Sequence, residues 1–407
     1  MPLIKLKSFL ALAFVAALAS CGGGGGGSTT TNSTGLTQLV VFGDSLSDIG
    51  TYDVGTVAAL GGGKWTVNAS TAKNWTELLA AQYGLPTPCP AQKGLLPILP
   101  GFTGAPVTNF SNCRNYAQGG ARISSLFGPS SYALQQALAA AGVTAANNSG
   151  ALGLLAEPVL TQMTQHLSNV NGAYSGTELV LVLAGANDVL MNLNALSSAA
   201  GNSAASAIAN AQFADWTSLP NWASTETALM APGTAAAQNA ATQAAQAYLT
   251  QAATNLANAI KTQVIAKGAK HVVVINVPDI STTPHITAMN SAATTVLAKS
   301  LTALYNGTLQ TALASTGVVF VDAFTESENQ INTPSQFGLS NVTTPACSTT
   351  SAANPLRGSA LTCTVASTLT GVDTSAYLYA DDVHPTPYGY RLLAQFVISK
   401  LYSAGIQ

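Results

Sequence analysis

"QLVVFGDSLSDIG", Gln38–Gly50, changes character in its middle. Gln38 to Phe42 is a nearly unbroken apolar run with two valines, the pattern of a strand covered on both faces. Gly43, Asp44 and Ser45 end it, and a second acid follows at Asp48. Asp44 and Ser45 suit the N-cap of a following helix. A hydroxyl at the end of a buried strand also suits a nucleophile. The strained glycine-x-serine-x-glycine elbow is absent, because Ser47 stands two residues after Ser45. Taken alone, the stretch leaves both roles open.

Three further runs read the same way: Leu179 to Leu183, His271 to Val277 and Val318 to Asp322. Helical patterns lie between and after them, at Ala72 to Tyr83, around Pro158 to Leu167, Thr234 to Lys267, Pro284 to Leu313 and Pro387 to Tyr402. Strand alternating with helix predicts an α/β domain with a parallel sheet between helix layers. Asp44-Ser45, Asn187-Asp188 and Pro278-Asp279 fall just beyond predicted strand ends. In open α/β sheets that edge is where ligands bind.

The N-terminus predicts export. Lys5 and Lys7 precede an apolar run from Phe9 to Leu18, and small residues lead to Cys21, so residues 1–20 read as a signal peptide. "LASC", Leu18 to Cys21, resembles the lipobox of bacterial lipoproteins, which makes Cys21 the expected lipidated residue. Residues 21–36, rich in Gly, Ser and Thr, read as a flexible tether, and residues 37–407 as one catalytic domain. The lipid is the only membrane contact expected, since no second run reaches spanning length.

Composition narrows the partners. The chain of 407 residues carries a formal charge of −2 and is only 7% charged, with no basic patch, so no nucleic-acid partner is expected. Besides Cys21 there are Cys89, Cys113, Cys347 and Cys363. Two disulfides fit an exported chain. The local pairs, Cys89 with Cys113 and Cys347 with Cys363, are favoured because each closes a loop rich in Pro, Gly, Ser or Thr. No short Cys/His spacing supports a metal site. Gly61-Gly62-Gly63-Lys64 lacks the first glycine of a phosphate loop and is followed by Trp65. "GDSLSD" likewise lacks the glycines of a dinucleotide fingerprint.

Near the C-terminus stands "YADDVHPTPYGY", residues 379–390. A lone histidine is usually structural, but His384 has Asp381 three positions before it and a serine at the rim of the first strand. Nucleophile, base and orienting acid are the requirements of acyl transfer. Donors for an oxyanion are offered by "NYAQGGA", Asn115 to Ala121, through its glycine pair, and by "GAND", Gly185 to Asp188, through the Asn187 amide. Taken singly, each also reads as an ordinary turn.

In this order the four stretches resemble the blocks of the GDSL family of the SGNH hydrolases. The resemblance extends from Gln38 to the C-terminus. It implies a flavodoxin-like three-layer α/β/α sandwich with a five-stranded parallel sheet, and ester hydrolysis without cofactor or metal. It also implies that Ser45 is the nucleophile, that Asp381 and His384 complete the triad, and that Ser45, Gly120 and Asn187 supply the oxyanion hole. The expected substrate is a small-molecule or lipid ester. A lysophospholipase, an acyltransferase or a carbohydrate deacetylase would use the same site, and a noncatalytic surface-binding lipoprotein is the rival outside catalysis. A long insertion precedes His271, and its aromatics in "FADWTSLPNW", residues 213–222, would either cap an acyl-binding cleft or pack the insertion onto the domain.

Overall fold

Two apolar layers sandwich the sheet, as the strand sequences require. In the computed structural model, which describes residues 35–97, 99–140 and 152–406, six strands form: β1 (Gln38–Gly43), β2 (Gln92–Leu95), β3 (Ala105–Asn109), β4 (Glu178–Leu183), β5 (His271–Ile275) and β6 (Val319–Val321). Strands β1-β4-β5-β6 lie side by side in that order, all parallel. Strands β2 and β3 make a separate antiparallel pair. Side chains alternate across the main sheet. Val40, Phe42, Val180, Val182 and Val274 meet the helices Val159–Asn169, Ala186–Ala199, Ala235–Ala259 and Ala292–Leu313. Leu39, Val41, Leu181, Val273 and Ile275 meet Trp75–Gln82 and Pro387–Ser403.

Among the described residues the sheet has four strands rather than the five that the resemblance implies. Residues 114–118 run where a fifth would lie: Val41 N–H donates to the Arg114 carbonyl (2.9 Å), and Tyr116 N–H to that of Val41 (2.8 Å). Pairing contracts to a parallel bridge at Asn115. The Asn115 side chain turns to the loops instead, donating from Nδ2 to the Ser47 carbonyl (2.9 Å) and accepting Ala117 N–H (3.0 Å).

Caps fix the helices beside the sheet edge. Asn74 accepts Thr76 N–H (3.0 Å), Glu77 accepts Asn74 N–H (2.8 Å), and Asn74 Nδ2 donates to the Leu46 carbonyl (2.9 Å), tying that helix to the serine turn. Thr386 caps the last helix, with Pro387 at its first position. The two ends of the unit are joined: Thr66 Oγ1 donates to the Pro385 carbonyl (2.9 Å), Tyr390 Oη to that of Trp65 (3.1 Å), and Tyr83 Oη to that of Ile406 (3.0 Å).

The insertion aromatics pack inward. Trp216 is fully buried and donates from Nε1 to Asn192 Oδ1 (2.7 Å), and Trp222 packs on the same cluster. Among the described residues no helix is long and apolar enough to cross a membrane. The predicted signal peptide, Cys21 and the tether through residue 34 lie outside the described residues.

Candidate active site

The turn after β1 and the turn before the last helix meet. Ser45 Oγ lies 2.8 Å from His384 Nε2, and His384 Nδ1 lies 2.8 and 2.9 Å from the two oxygens of Asp381. All three side chains are buried to within a tenth of full coverage. Asp381 is held by three backbone donors, Ala360 N–H (2.8 Å), Val383 N–H (3.0 Å) and His384 N–H (2.7 Å). The Trp65 ring lies 4.7 Å from the imidazole, centroid to centroid.

Electrostatics polarise this line. Burial works to raise the Asp381 pKa, but the His384 charge and the donors around the carboxylate outweigh it, and the net shift is downward. Burial likewise works to lower the His384 pKa, and the Asp381 carboxylate reverses it, so the imidazole is more basic than a free histidine. Asp382 faces elsewhere: its carboxylate pairs with His285 Nδ1 at 2.8 Å and its carbonyl accepts His285 N–H (2.9 Å). The side-chain bond to the Asp382 carboxylate raises the His285 pKa.

Asp44 and Asp48 organise the serine turn. Asp48, fully buried, accepts Gly50 N–H (3.0 Å), Thr51 N–H (2.9 Å), Gly119 N–H (3.0 Å) and Trp65 Nε1–H (3.4 Å). One carboxylate thus fixes the serine loop, the glycine pair and the ring beside His384. Asp44 accepts Leu46 N–H (3.1 Å) through one oxygen, while the other has no partner among the described residues. Burial pushes its pKa up to about 7.

The glycine pair and Asn187 reach the same rim. Gln118 N–H donates to the Gly43 carbonyl (3.2 Å), which sets Gly119 and Gly120 beside the serine turn. Gly120 has φ of +80°, and a Cβ there would stand 2.7 Å from the Pro129 carbonyl oxygen. Asn187, in the first turn of the helix after β4, donates from Nδ2 to the Ala121 carbonyl (2.9 Å). No described residue accepts the N–H of Ser45 or of Gly120. Beneath them a fully buried pair, Arg122 and Asp188, joins the two loops at 3.1 Å.

The sulfurs of Cys89 and Cys113 are 2.08 Å apart and those of Cys347 and Cys363 1.94 Å apart. Among the described residues no cluster of three or more His, Cys, Asp or Glu could hold a metal. Trp65, Asp48, Arg122 and the Ala360 amide also belong to the site, and no sequence motif named them. For Arg122 a signal existed: it is one of only four arginines and directly follows the glycine-pair block.

A parallel α/β fold with serine, histidine and aspartate in line at the carboxyl edge of its sheet has the arrangement of a hydrolase. The profile of the GDSL-like Lipase/Acylhydrolase family matches residues 39–397, and the chain belongs to that family. It is therefore a hydrolase of the esterase/lipase type, acting on a small-molecule or lipid ester. No curated protein matches the chain. Among solved structures it is similar to the crystal structure of LAE5, an alpha/beta hydrolase enzyme from the metagenome of Lake Arreo, Spain. That likeness has 12% identity and a TM-score of 0.37 over 92% of this chain and 98% of the other.

Proposed function

We propose that the protein is an exported serine ester hydrolase working through an acyl-enzyme. The observation that carries this reading is the unbroken hydrogen-bonded line from Ser45 Oγ through His384 to Asp381. His384 Nε2 takes the serine proton as Oγ attacks the ester carbonyl carbon, and Asp381 holds Nδ1–H and stabilises the imidazolium. The Ser45 and Gly120 amides, with Asn187 Nδ2, receive the developing oxyanion. Collapse breaks the ester C–O bond, His384 returns the proton to the leaving alcohol, and water repeats the sequence to release the acid.

Ser45→Ala tests the reading directly. It should abolish hydrolysis of nitrophenyl esters and labelling by a fluorophosphonate with the fold intact by circular dichroism. Labelling retained on another serine would reassign the nucleophile. Export and anchoring rest on residues 1–21, and the two disulfides are consistent with them. Cys21→Ser should move active enzyme from the membrane fraction to the soluble one, and unchanged fractionation would remove the lipid anchor.

A further inference from the structure

The indole of Trp65 touches two parts of the site that come from distant stretches of chain. Its ring meets the His384 imidazole, with 4.7 Å between centroids and the planes 33° apart. The same ring lies against the backbone of Gly119, where a Cβ would stand 2.3 Å from Trp65 Cζ2 and 2.5 Å from Cε2. Asp48 Oδ2 accepts both the indole Nε1–H (3.4 Å) and the Gly119 N–H (3.0 Å), so one oxygen ties ring and glycine together. Tyr52 stands edge-on to the indole, with centroids 6.2 Å apart, and its hydroxyl donates to the Gly119 carbonyl (2.8 Å). The backbone is held as well: the Trp65 carbonyl accepts the Tyr390 hydroxyl (3.1 Å), and Thr66 Oγ1 donates to the carbonyl of Pro385, the residue after His384 (2.9 Å). Trp65 is 7% exposed, so side chain and backbone together leave the indole little freedom to move off the imidazole.

This contact supplies what the hydrogen bonds along Ser45, His384 and Asp381 do not. Those bonds hold the imidazole at its two nitrogens. Histidine χ2 is a broad torsion, so the tilt of the ring is left to what packs on its face. An aromatic face also attracts positive charge, and a cation within about 6 Å of a tryptophan centroid is stabilised by the ring quadrupole. On the proposed mechanism His384 becomes a cation when it takes the serine proton. The attraction is then strongest at the charged stage of the reaction, which is where stabilisation accelerates turnover. The carboxylates acting on the same charge are Asp381 and Asp382 on its own loop and Asp44 on the serine turn. Asp48 reaches the indole rather than the imidazole, and Lys64, next to Trp65, is paired with Glu77 at 2.7 Å.

We propose that Trp65 is a positioning residue of the hydrolase: its indole fixes the tilt of the His384 ring, holds it at a set spacing from the glycine pair and stabilises the imidazolium formed during turnover. The kinetic part rests on the hydrolase reading. The ring contact does not, and it has a readout of its own. An imidazolium accepts an electron from an excited indole that it touches and so quenches its fluorescence, whereas neutral imidazole quenches weakly. Among the described residues Trp65 and His384 are the tryptophan–histidine ring pair.

The test uses the full chain with Trp65→Leu, Trp65→Phe and His384→Ala. Wild-type tryptophan emission should fall in one step as His384 is protonated, and the step should be missing from Trp65→Phe and His384→Ala but kept in Ser45→Ala. Trp65→Leu, assayed below its melting temperature, should lower kcat for nitrophenyl acetate by about tenfold, change KM less than about twofold and move the acid limb of kcat/KM down by about half a pH unit. Trp65→Phe, which keeps a ring, should recover most of kcat and show a smaller shift of the acid limb. No emission step in the wild type, or a step that survives in Trp65→Phe, would overturn the contact. An unchanged kcat or unmoved acid limb in Trp65→Leu, or a loss that Trp65→Phe does not recover, would overturn the positioning role and leave the hydrolase reading standing. If Trp65→Leu does not fold, Trp65→Phe decides, and an acid limb unmoved in it overturns the inference. If the wild type hydrolyses no ester, the hydrolase reading fails, and the emission arm alone decides whether the indole holds His384.

Discussion

At the scale of single residues, two adjacent aspartates have separate work. Asp381 holds the imidazole through both oxygens, whereas Asp382 pairs with His285 at the surface and is 55% exposed. Asp381→Asn should lower kcat by up to about ten-thousandfold, because an amide cannot fix the tautomer that leaves Nε2 free to accept a proton. Asp382→Asn removes one exposed ion pair and should change kcat less than about tenfold. Kinetics of the two purified variants check the order, and the reverse ranking would exchange their roles. The family pattern made Asp381 legible from its spacing to His384. The partner of Asp382 was not legible, since 97 positions separate it from His285.

Among the elements, strands were read more securely than helix interiors or edges. All four predicted strands appear with small changes at their ends, because continuous apolarity is a strong signal for a strand buried on both sides. The predicted helix Pro284–Leu313 is instead two helices, Pro284–Thr287 and Ala292–Leu313, parted where Asn290 takes φ of +49°. Sequence periodicity carries little information about one residue in that conformation. The fifth strand failed for a similar reason: Asn115 spends its side chain on loops. The loop closed by Cys347 and Cys363 is an element with a consequence for catalysis. It contains Ala360, whose N–H holds Asp381, and Cys347 N–H donates to the Ala380 carbonyl (2.8 Å). A double Cys347→Ser, Cys363→Ser variant should lose about 3 kcal/mol of stability, as expected for a loop of this size. Its kcat should also fall at least about tenfold at temperatures where it remains folded. Urea melts and initial rates test the two effects separately, and an unchanged kcat would mean that the Ala360 contact survives without the crosslink.

Across the whole molecule, the pH response follows from the balance at His384. As the proposed base, His384 must be neutral to accept the serine proton; burial works to lower its pKa, but the Asp381 carboxylate outweighs it and the net shift is upward from 6.5. The acid limb of kcat/KM for a nitrophenyl ester should therefore have its midpoint above 6.5, with activity falling as pH drops through it. A midpoint below 6 would mean that burial outweighs the carboxylate. Ser45, Asp381 and His384, the proposed triad, were legible because each stands in a short motif, and the three lie in hydrogen-bonded contact. It did not reach the Arg122–Asp188 hub or the Trp65 ring against His384, since both depend on which loops fold beside each other. Burial was likewise invisible at Asp44, whose ordinary capping pattern gives no sign that its carboxyl resists ionisation to about pH 7.

The bond between Ser45 and His384 spans 339 positions of the chain, and the neighbouring ties from Thr66 and Trp65 reach almost as far. A nascent chain carries Ser45 long before its proposed base, His384, has been synthesised. Until then Ser45 has no imidazole to take its proton, so on the proposed mechanism a chain ending before His384 would not hydrolyse esters.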